Sequence, residues 1–343
     1  MSNRVRGICL VGLGLVFLAA GRLAARAEEL RVGRGQGAST IPMLAKDSGY
    51  FADEGLNPDL IPFISSADGL NALNAGKIDV GLDFGTCAPL TYVVAGADFV
   101  IIAGTLSGGH PIIAKKENAG IYEKIEGFRG KTAGTPRLYT SDIVWRGALK
   151  REGLEVGRDV GVIEFKRPPD VVEAVRSGKI DVGIVSSGQV GAINKSPDLS
   201  IVLWSNDLFP DHPCCRIVTT REVLKNRRPE LVKLIKALLR AEEKFTADPE
   251  AGVTAVKNQL GLDDALTRSL VLEPHSKLAV DPNTKAVVEM WNYMIDIDYI
   301  NSDIDPRGLI DVSLYRQALA ELAREHPSPF WDKLEVRFRE WNE

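Results

Sequence analysis

The sequence predicts an α/β protein built as two similar lobes, and two observations carry that expectation. The hexapeptide GKIDVG occurs at residues 76–81 and again at residues 178–183. Each copy follows a short amphipathic stretch, residues 70–75 and 171–177, and each runs into an apolar, strand-like segment, residues 78–84 and 180–185. The second observation is that the order of elements upstream repeats as well. Residues 30–33 open a strand, residues 41–53 carry a helical period, and residues 58–64 read as a second strand before the 70–75 helix. In the other half, residues 130–134, 141–152 and 160–166 read as strand, helix and strand before the 171–177 helix. Strands alternating with helices of this length predict parallel sheets built from βαβ units. Two such units predict two lobes with a cleft between them.

The remaining elements are helical. Residues 229–245 place Leu231, Leu234, Ile235, Leu238 and Leu239 on one face at the helical period, and residues 284–295 read as a second long helix. The N-terminus has a different character. Arg4 and Arg6 precede an apolar run at residues 8–20 that is shorter than a membrane span. Ala25-Arg26-Ala27 then supplies small residues at both positions of a cleavage site. This is the pattern of a secretory signal peptide removed after Ala27, which predicts a bacterial periplasmic location. Cys9 lies inside the apolar run without the residues that mark a lipid-anchored protein. The segment carries four arginines and no acidic residue, so its removal makes a chain of net charge −4 more acidic still. No block of Lys and Arg and no basic stretch interleaved with aromatics occurs, which argues against nucleic acid or an anionic membrane as a partner.

Motifs of catalysis are missing. There is no GxSxG elbow, no HExxH, no Walker A sequence and no GxGxxG after the first strand. Residues 33–37 are glycine-rich, at the wrong spacing for a dinucleotide. His110, His212, His275 and His326 are not spaced as metal ligands, and no cofactor is expected. Asp296 and Asp298 alternate with isoleucine in the manner of a solvated face rather than a catalytic carboxylate pair.

The segment AKDSGYFADEGL at residues 45–56, the Val32-Gly33 strand start, the two GKIDVG units and the Asp305-Pro306 and Leu309-Ile310-Asp311 stretches resemble the extracytoplasmic substrate-binding proteins of ABC transporters. The subgroup is the nitrate/sulfonate/taurine and thiamine-pyrimidine type, and the resemblance covers about residues 30–320. It implies a type II periplasmic-binding-protein fold: two βαβ lobes, a hinge, and two crossovers. Mapped onto this chain, lobe I is residues 28–105 and 209–343, and lobe II is residues 106–208. The resemblance implies a small-molecule ligand and ABC permease subunits as partners; the missing catalytic motifs favour a receptor over an enzyme, and a monomer is expected. Cytosolic thiamine-pyrimidine enzymes of the family carry a cysteine-rich motif, of which only a pair of cysteines stands here.

Ligands of open α/β sheets bind at the carboxyl ends of the strands. In lobe I these ends hold Gln36, Ser39, Thr40, Ser65, Ser66, Gly85, Thr86 and Cys87. In lobe II they hold Thr135, Arg137, Tyr139, Thr140, Ser141, Ser186, Ser187 and Gln189. Hydroxyls and unpaired amides at helix starts suit an anionic or strongly polar ligand, with Arg137 as a counter-charge. The expected function is a solute receptor holding an organic acid or sulfonate between two helix N-termini. The alternative is a secreted sensory receptor, or an enzyme acting on a pyrimidine-like or aromatic ligand, with Phe84, Tyr139, Trp204 and Phe209 as stacking candidates. Cys214 and Cys215 are adjacent. They leave open a vicinal disulfide, a pairing of one of them with Cys87, or buried free thiols.

Overall fold

The structure is a computed structural model, and it describes residues 30–35 and 39–343. The expected signal peptide and Gln36 lie outside the described residues. Eleven strands form two sheets. The first holds β1 (Val32–Arg34), β2 (Leu60–Pro62), β3 (Val80–Gly85), β4 (Phe99–Gly108), β10 (Pro213–Thr220) and β11 (Ser276–Leu278), in the order β11-β4-β10-β3-β1-β2. The second holds β5 (Pro111–Lys115), β6 (Thr132–Pro136), β7 (Gly161–Phe165), β8 (Val182–Ile184) and β9 (Leu199–Trp204), in the order β7-β6-β8-β5-β9.

The sheets are mixed, not purely parallel as the alternation of elements predicts. Three strands of each are parallel: β2-β1-β3 in one and β7-β6-β8 in the other. Beyond them lies an antiparallel strand, β10 beside β3 and β5 beside β8. Each of these is the first strand after the chain changes sheet, so it enters from the opposite end. The changes of sheet fall at Gly109-His110 and at residues 205–212. Leu106 and Ser107, expected beyond the first crossover, still pair with β10 and β11.

Several side-chain contacts repeat with the hexapeptide. Gly76 and Gly178 both adopt left-handed φ, 65° and 74°, just past the helices Ser66–Asn74 and Pro168–Arg176, where a residue with a Cβ is disfavoured. Asp79 accepts from the Arg31 backbone N–H at 2.8 Å, and Asp181 does the same for Thr132 at 2.8 Å. Both aspartates thereby pin the start of the first strand of their sheet. A Cβ on Gly33 would fall 2.6 Å from Ile78 Cδ1 and 2.7 Å from the Phe63 ring. A Cβ on Gly134 would fall 2.3 Å from Ile180 Cδ1 and 2.9 Å from the Phe165 ring. In both sheets the isoleucine of GKIDVG and a phenylalanine at or just past the end of the second strand close over a glycine of the first.

The expected helix at 41–53 is two helices, Thr40–Asp47 and Tyr50–Asp53, broken at Gly49 with φ 75°. The long helix Arg228–Ala247 buries the leucine face the sequence predicts, in the core that also holds Val32, Val80 and Trp331. A second core joins Phe84, Ile101 and Trp291 to Ile143 and Val144 of the helix Thr140–Arg151, so it spans both sheets. The two halves also meet on another side, where the Gly191 position lies against Leu266 and Ser269 and Lys195 pairs with Asp263 at 2.9 Å.

Candidate functional site

A cleft enclosing about 560 Å³, its open mouth included, lies at the strand ends. One side is Ser39, Thr40 and Ile41, where β1 gives way to the helix Thr40–Asp47, with Asp83 of β3, Thr105 and Leu106 of β4, and Cys215 of β10. Ser187 and Gly188, just after β8, face them from the second sheet. Leu270, Val271, Ser276 and Leu278 complete the wall from the C-terminal part of the chain. Two of the six non-glycine residues with positive φ among the described residues line this cleft: Ser39 at 43° and Asp83 at 58°. Such backbone costs free energy and persists where the surroundings hold it, commonly at binding sites.

Asp83 dominates the chemistry. It interrupts the apolar run Val80–Gly85, and its Oδ2 is sealed from solvent with no well-formed hydrogen bond. Ser39 Oγ and Thr105 Oγ1 around it are buried and unbonded as well. Burial pushes the Asp83 carboxyl above its usual range, against the pull of the Ser39 and Thr105 hydroxyls and of Arg34. Asp83, Ser39 and Thr105 thus form a small polar cluster on the cleft wall, which a polar ligand can join. The helix Thr40–Asp47 begins at that wall with no side-chain cap, leaving its first amides available to an acceptor.

The other predicted residues divide. Ser39, Thr40 and Ser187 line the cleft, with Gly188 between Ser187 and Gln189. Ser65 caps the helix Ser66–Asn74 by accepting from Asp68 N–H at 3.1 Å, and its hydroxyl donates to Asp68 Oδ2. Ser66 Oγ accepts from Gly85 N–H at 3.0 Å. Thr86 and Thr140 send their hydroxyls to one acceptor, the Cys214 carbonyl, at 3.2 and 3.1 Å, and the Thr86 N–H adds a third bond at 2.8 Å. Cys87 is fully buried, and desolvation raises its thiol pKa. Thr135 turns toward the buried Asp142, whose carboxyl burial raises to about 6 despite the paired Arg146, and Ser141 is buried. Ser186 precedes the single turn Ser187–Gln189. Arg137 is largely exposed and reaches only Glu164, at 4.0 Å. Tyr139 is half-buried, and burial, with Cys215 and Asp68 nearby, pushes its hydroxyl up to about 12. Of the other aromatic candidates, Phe84 is core, Trp204 stacks on His275 at 3.9 Å, and Phe209 packs on His212 and Tyr293. Asp296 and Asp298 are exposed beside Lys150, as their alternation predicts.

Asp83, Thr105 and Cys215 were not among the ligand-binding candidates. A charged residue inside a buried strand pattern is the signal that marks Asp83, since aspartate is almost never buried without a reason. Among the described residues no group of His, Cys, Asp and Glu has the arrangement of a metal site.

Two mixed sheets, each completed by a strand that has crossed from the other, with a cleft at their carboxyl ends, define a periplasmic-binding-protein fold. The chain belongs to the NMT1/THI5-like family, whose model matches residues 37–252. Proteins of Brucella abortus and Brucella suis that are named as candidate binding proteins are 26% identical over 281 residues, covering 78% of this chain and 85% of theirs. The alkanesulfonate-binding protein SsuA of Xanthomonas axonopodis pv. citri, solved with MOPS, superposes with a TM-score of 0.71 at 16% identity, covering 83% of this chain and 98% of that one. The periplasmic nitrate-binding protein NrtA of Synechocystis PCC 6803 gives 0.72 at 17% identity, covering 88% and 91%. At these identities the superpositions establish the fold.

Proposed function

We propose that the protein is an extracytoplasmic solute receptor that binds one small polar molecule between two lobes and delivers it to an ABC permease. The observation that carries this reading is the cleft itself: strand ends of both sheets converge on a wall that holds the polar cluster of Ser39, Asp83 and Thr105, in a chain of the NMT1/THI5-like family. The lobes in this reading are the two sheets with their helices, hinged at Gly109-His110 and residues 205–212. Binding is supported by the family and by the curated relatives, which are named as candidate binding proteins.

The ligand in this proposal has two ends. An acceptor or anionic end meets the first amides of the helix Thr40–Asp47 with the Ser39 and Thr105 hydroxyls. A donor end, an N–H or O–H, meets the Asp83 carboxyl. This narrows the anionic or strongly polar ligand expected from the sequence, because Asp83 lines the cleft and Arg137 does not.

Contacts between Gly191 and Leu266 and between Lys195 and Asp263 close the two halves over one side of the cleft. A ligand bridging the lobes favours that closed state. At 100 times its dissociation constant it should stabilise the protein by ~2.7 kcal/mol, and X-ray scattering should record a more compact particle. A thermal-shift panel of sulfonates, carboxylates, amino acids and amino-substituted heterocycles selects the ligand. A bound ligand that changes neither dimensions nor melting temperature would sink the hinge reading.

Export follows from the signal sequence. No helix among the described residues is long and apolar enough to cross a membrane. N-terminal sequencing of protein recovered from a periplasmic fraction should begin at Glu28. Recovery only in membranes, with residues 4–20 intact, would contradict export in cleaved form.

A further inference from the structure

Cys214 and Cys215 sit where a strand should hold them apart. Neighbouring residues of a strand point to opposite faces, yet the two Sγ atoms lie 2.9 Å from each other. The cause is a bulge. Between Pro213, paired with Ser107, and Cys215, paired with Leu106, the ladder of β10 on β4 gains one residue, Cys214. Its carbonyl leaves the ladder and takes the three hydrogen bonds from Thr86 and Thr140, which fixes the bulge in place.

The surroundings treat the two sulfurs differently. Cys214 is buried, with its Sγ 3.1 Å from His110 Nε2. His110 stacks on His212 at 5.4 Å, one ring from each crossover, and His212 Nε2 meets Ser205 Oγ at 2.7 Å. The buried Arg216 guanidinium donates to the Cys215 carbonyl at 2.8 Å and lies on the same strand. Burial opposes a Cys214 thiolate, but the Cys215 thiol, His110 and Arg216 outweigh it and lower the pKa. A cysteine beside a histidine is the arrangement of a nucleophile and its base. Here substrate has no way to it, because Cys214 is sealed and the neighbouring sulfur, Cys215, is the one on the cleft wall.

We infer that Cys214 and Cys215 form a reversible dithiol–disulfide site whose oxidant is a low-molecular-weight disulfide entering by the cleft. Cys214 Sγ, its own proton held on His110 Nε2, takes the Cys215 proton as Cys215 Sγ attacks one sulfur of the incoming disulfide. One thiolate leaves with the proton from His110, and a mixed disulfide remains on Cys215. Cys214 Sγ, its proton now on His110 Nε2, attacks Cys215 Sγ and expels the second thiolate. Both departing thiolates take up protons, so two protein thiols are oxidised by two electrons and one disulfide is reduced to two thiols. Adjacent Cα atoms are ~3.8 Å apart, closer than ordinary disulfides hold them. The product is therefore strained and readily reduced, which makes the site reversible. This inference does not depend on which ligand the cleft binds.

The test uses the mature protein, incubated with oxidised glutathione, then denatured in acid, alkylated and mapped by mass spectrometry. The peptide holding both cysteines should lose two hydrogens and regain them in excess reduced glutathione, while Cys87 stays alkylatable throughout. Cys214→Ser should trap glutathione on Cys215, forming more slowly than the wild-type reaction because the proton acceptor is gone, and Cys215→Ser should leave Cys214 unmodified. A glutathione adduct that persists on the wild-type protein, a disulfide containing Cys87, or no reaction at all would each overturn it. The wild-type map decides the matter even if a variant fails to fold.

Discussion

Replacing Asp83 with asparagine should cost ligand affinity roughly 10- to 150-fold, the worth of about 1.5–3 kcal/mol for a hydrogen bond to a charged group, while leaving the fold as stable or more so. The two effects separate because the carboxyl is costly to the folded chain. Its pKa is raised above the ordinary 3.8 by burial, so between those two values the native state holds a proton that the unfolded state has released. The unfolded state binds fewer protons there, and stability falls as pH rises through that window. Asparagine has no such titration, keeps the shape, and tolerates the left-handed backbone at φ 58°. The variant's melting temperature should therefore depend less on pH between 3.8 and neutrality and should not drop at neutral pH. Calorimetry with the selected ligand reads the affinity. If Asp83→Asn binds as the wild type does, the carboxyl serves as a protonated donor that the amide can replace. The ligand then presents an acceptor there, and the anionic reading returns. Loss of binding together with loss of the folded state would support neither.

That experiment turns on a residue the sequence displayed but did not explain. The repeat was legible because GKIDVG encodes local physics: a left-handed glycine ends a helix, an isoleucine fills a glycine slot, and an aspartate accepts a backbone N–H. Each of these is fixed by neighbours close in sequence or by the adjacent strand. The strand ends were legible for the same reason, and Ser39, Thr40 and Ser187 reach the cleft from them. What could not be read was direction. Ser65, Ser66, Thr86 and Thr140 sit at strand ends, yet their hydroxyls are spent on a helix cap, on Gly85 and on the Cys214 carbonyl. Period-two reasoning assigns each residue a face, and it fails at Cys214, where the bulge adds a residue. The stacking of His110 on His212 and the wall from Leu270 to Leu278 depend on chain segments far apart in sequence, where no local pattern reaches.

The second copy of the repeat offers a sharper comparison, because Gly81 and Gly183 are the same residue of the same hexapeptide with different neighbours. A Cβ on Gly81 would lie 2.1 Å from Phe84 Cε2, and one on Gly69 across the ring would lie 2.0 Å from Phe84 Cζ. The Phe84 ring is thus held between two glycines, fully buried. A Cβ on Gly183 would meet Val171 and Val175 methyls at 2.9 Å and Ile113 at 3.1 Å, contacts that a few tenths of an ångström of movement relieve. Gly81→Ala should therefore destabilise at or above the upper end of the 1–3 kcal/mol typical of overpacking, and Gly183→Ala by less, measured by urea denaturation. Gly69→Ala is the stringent control. It lies inside the helix Ser66–Asn74, where alanine in place of glycine ordinarily gains ~0.8–1 kcal/mol, so a net loss there can come only from the ring. In a Phe84→Leu background the cost of Gly81→Ala should shrink by about 0.5–3 kcal/mol, the range of coupling between residues in contact. If the two substitutions instead add without coupling, the ring is not what the glycine makes room for, and Gly81 is glycine for its backbone alone.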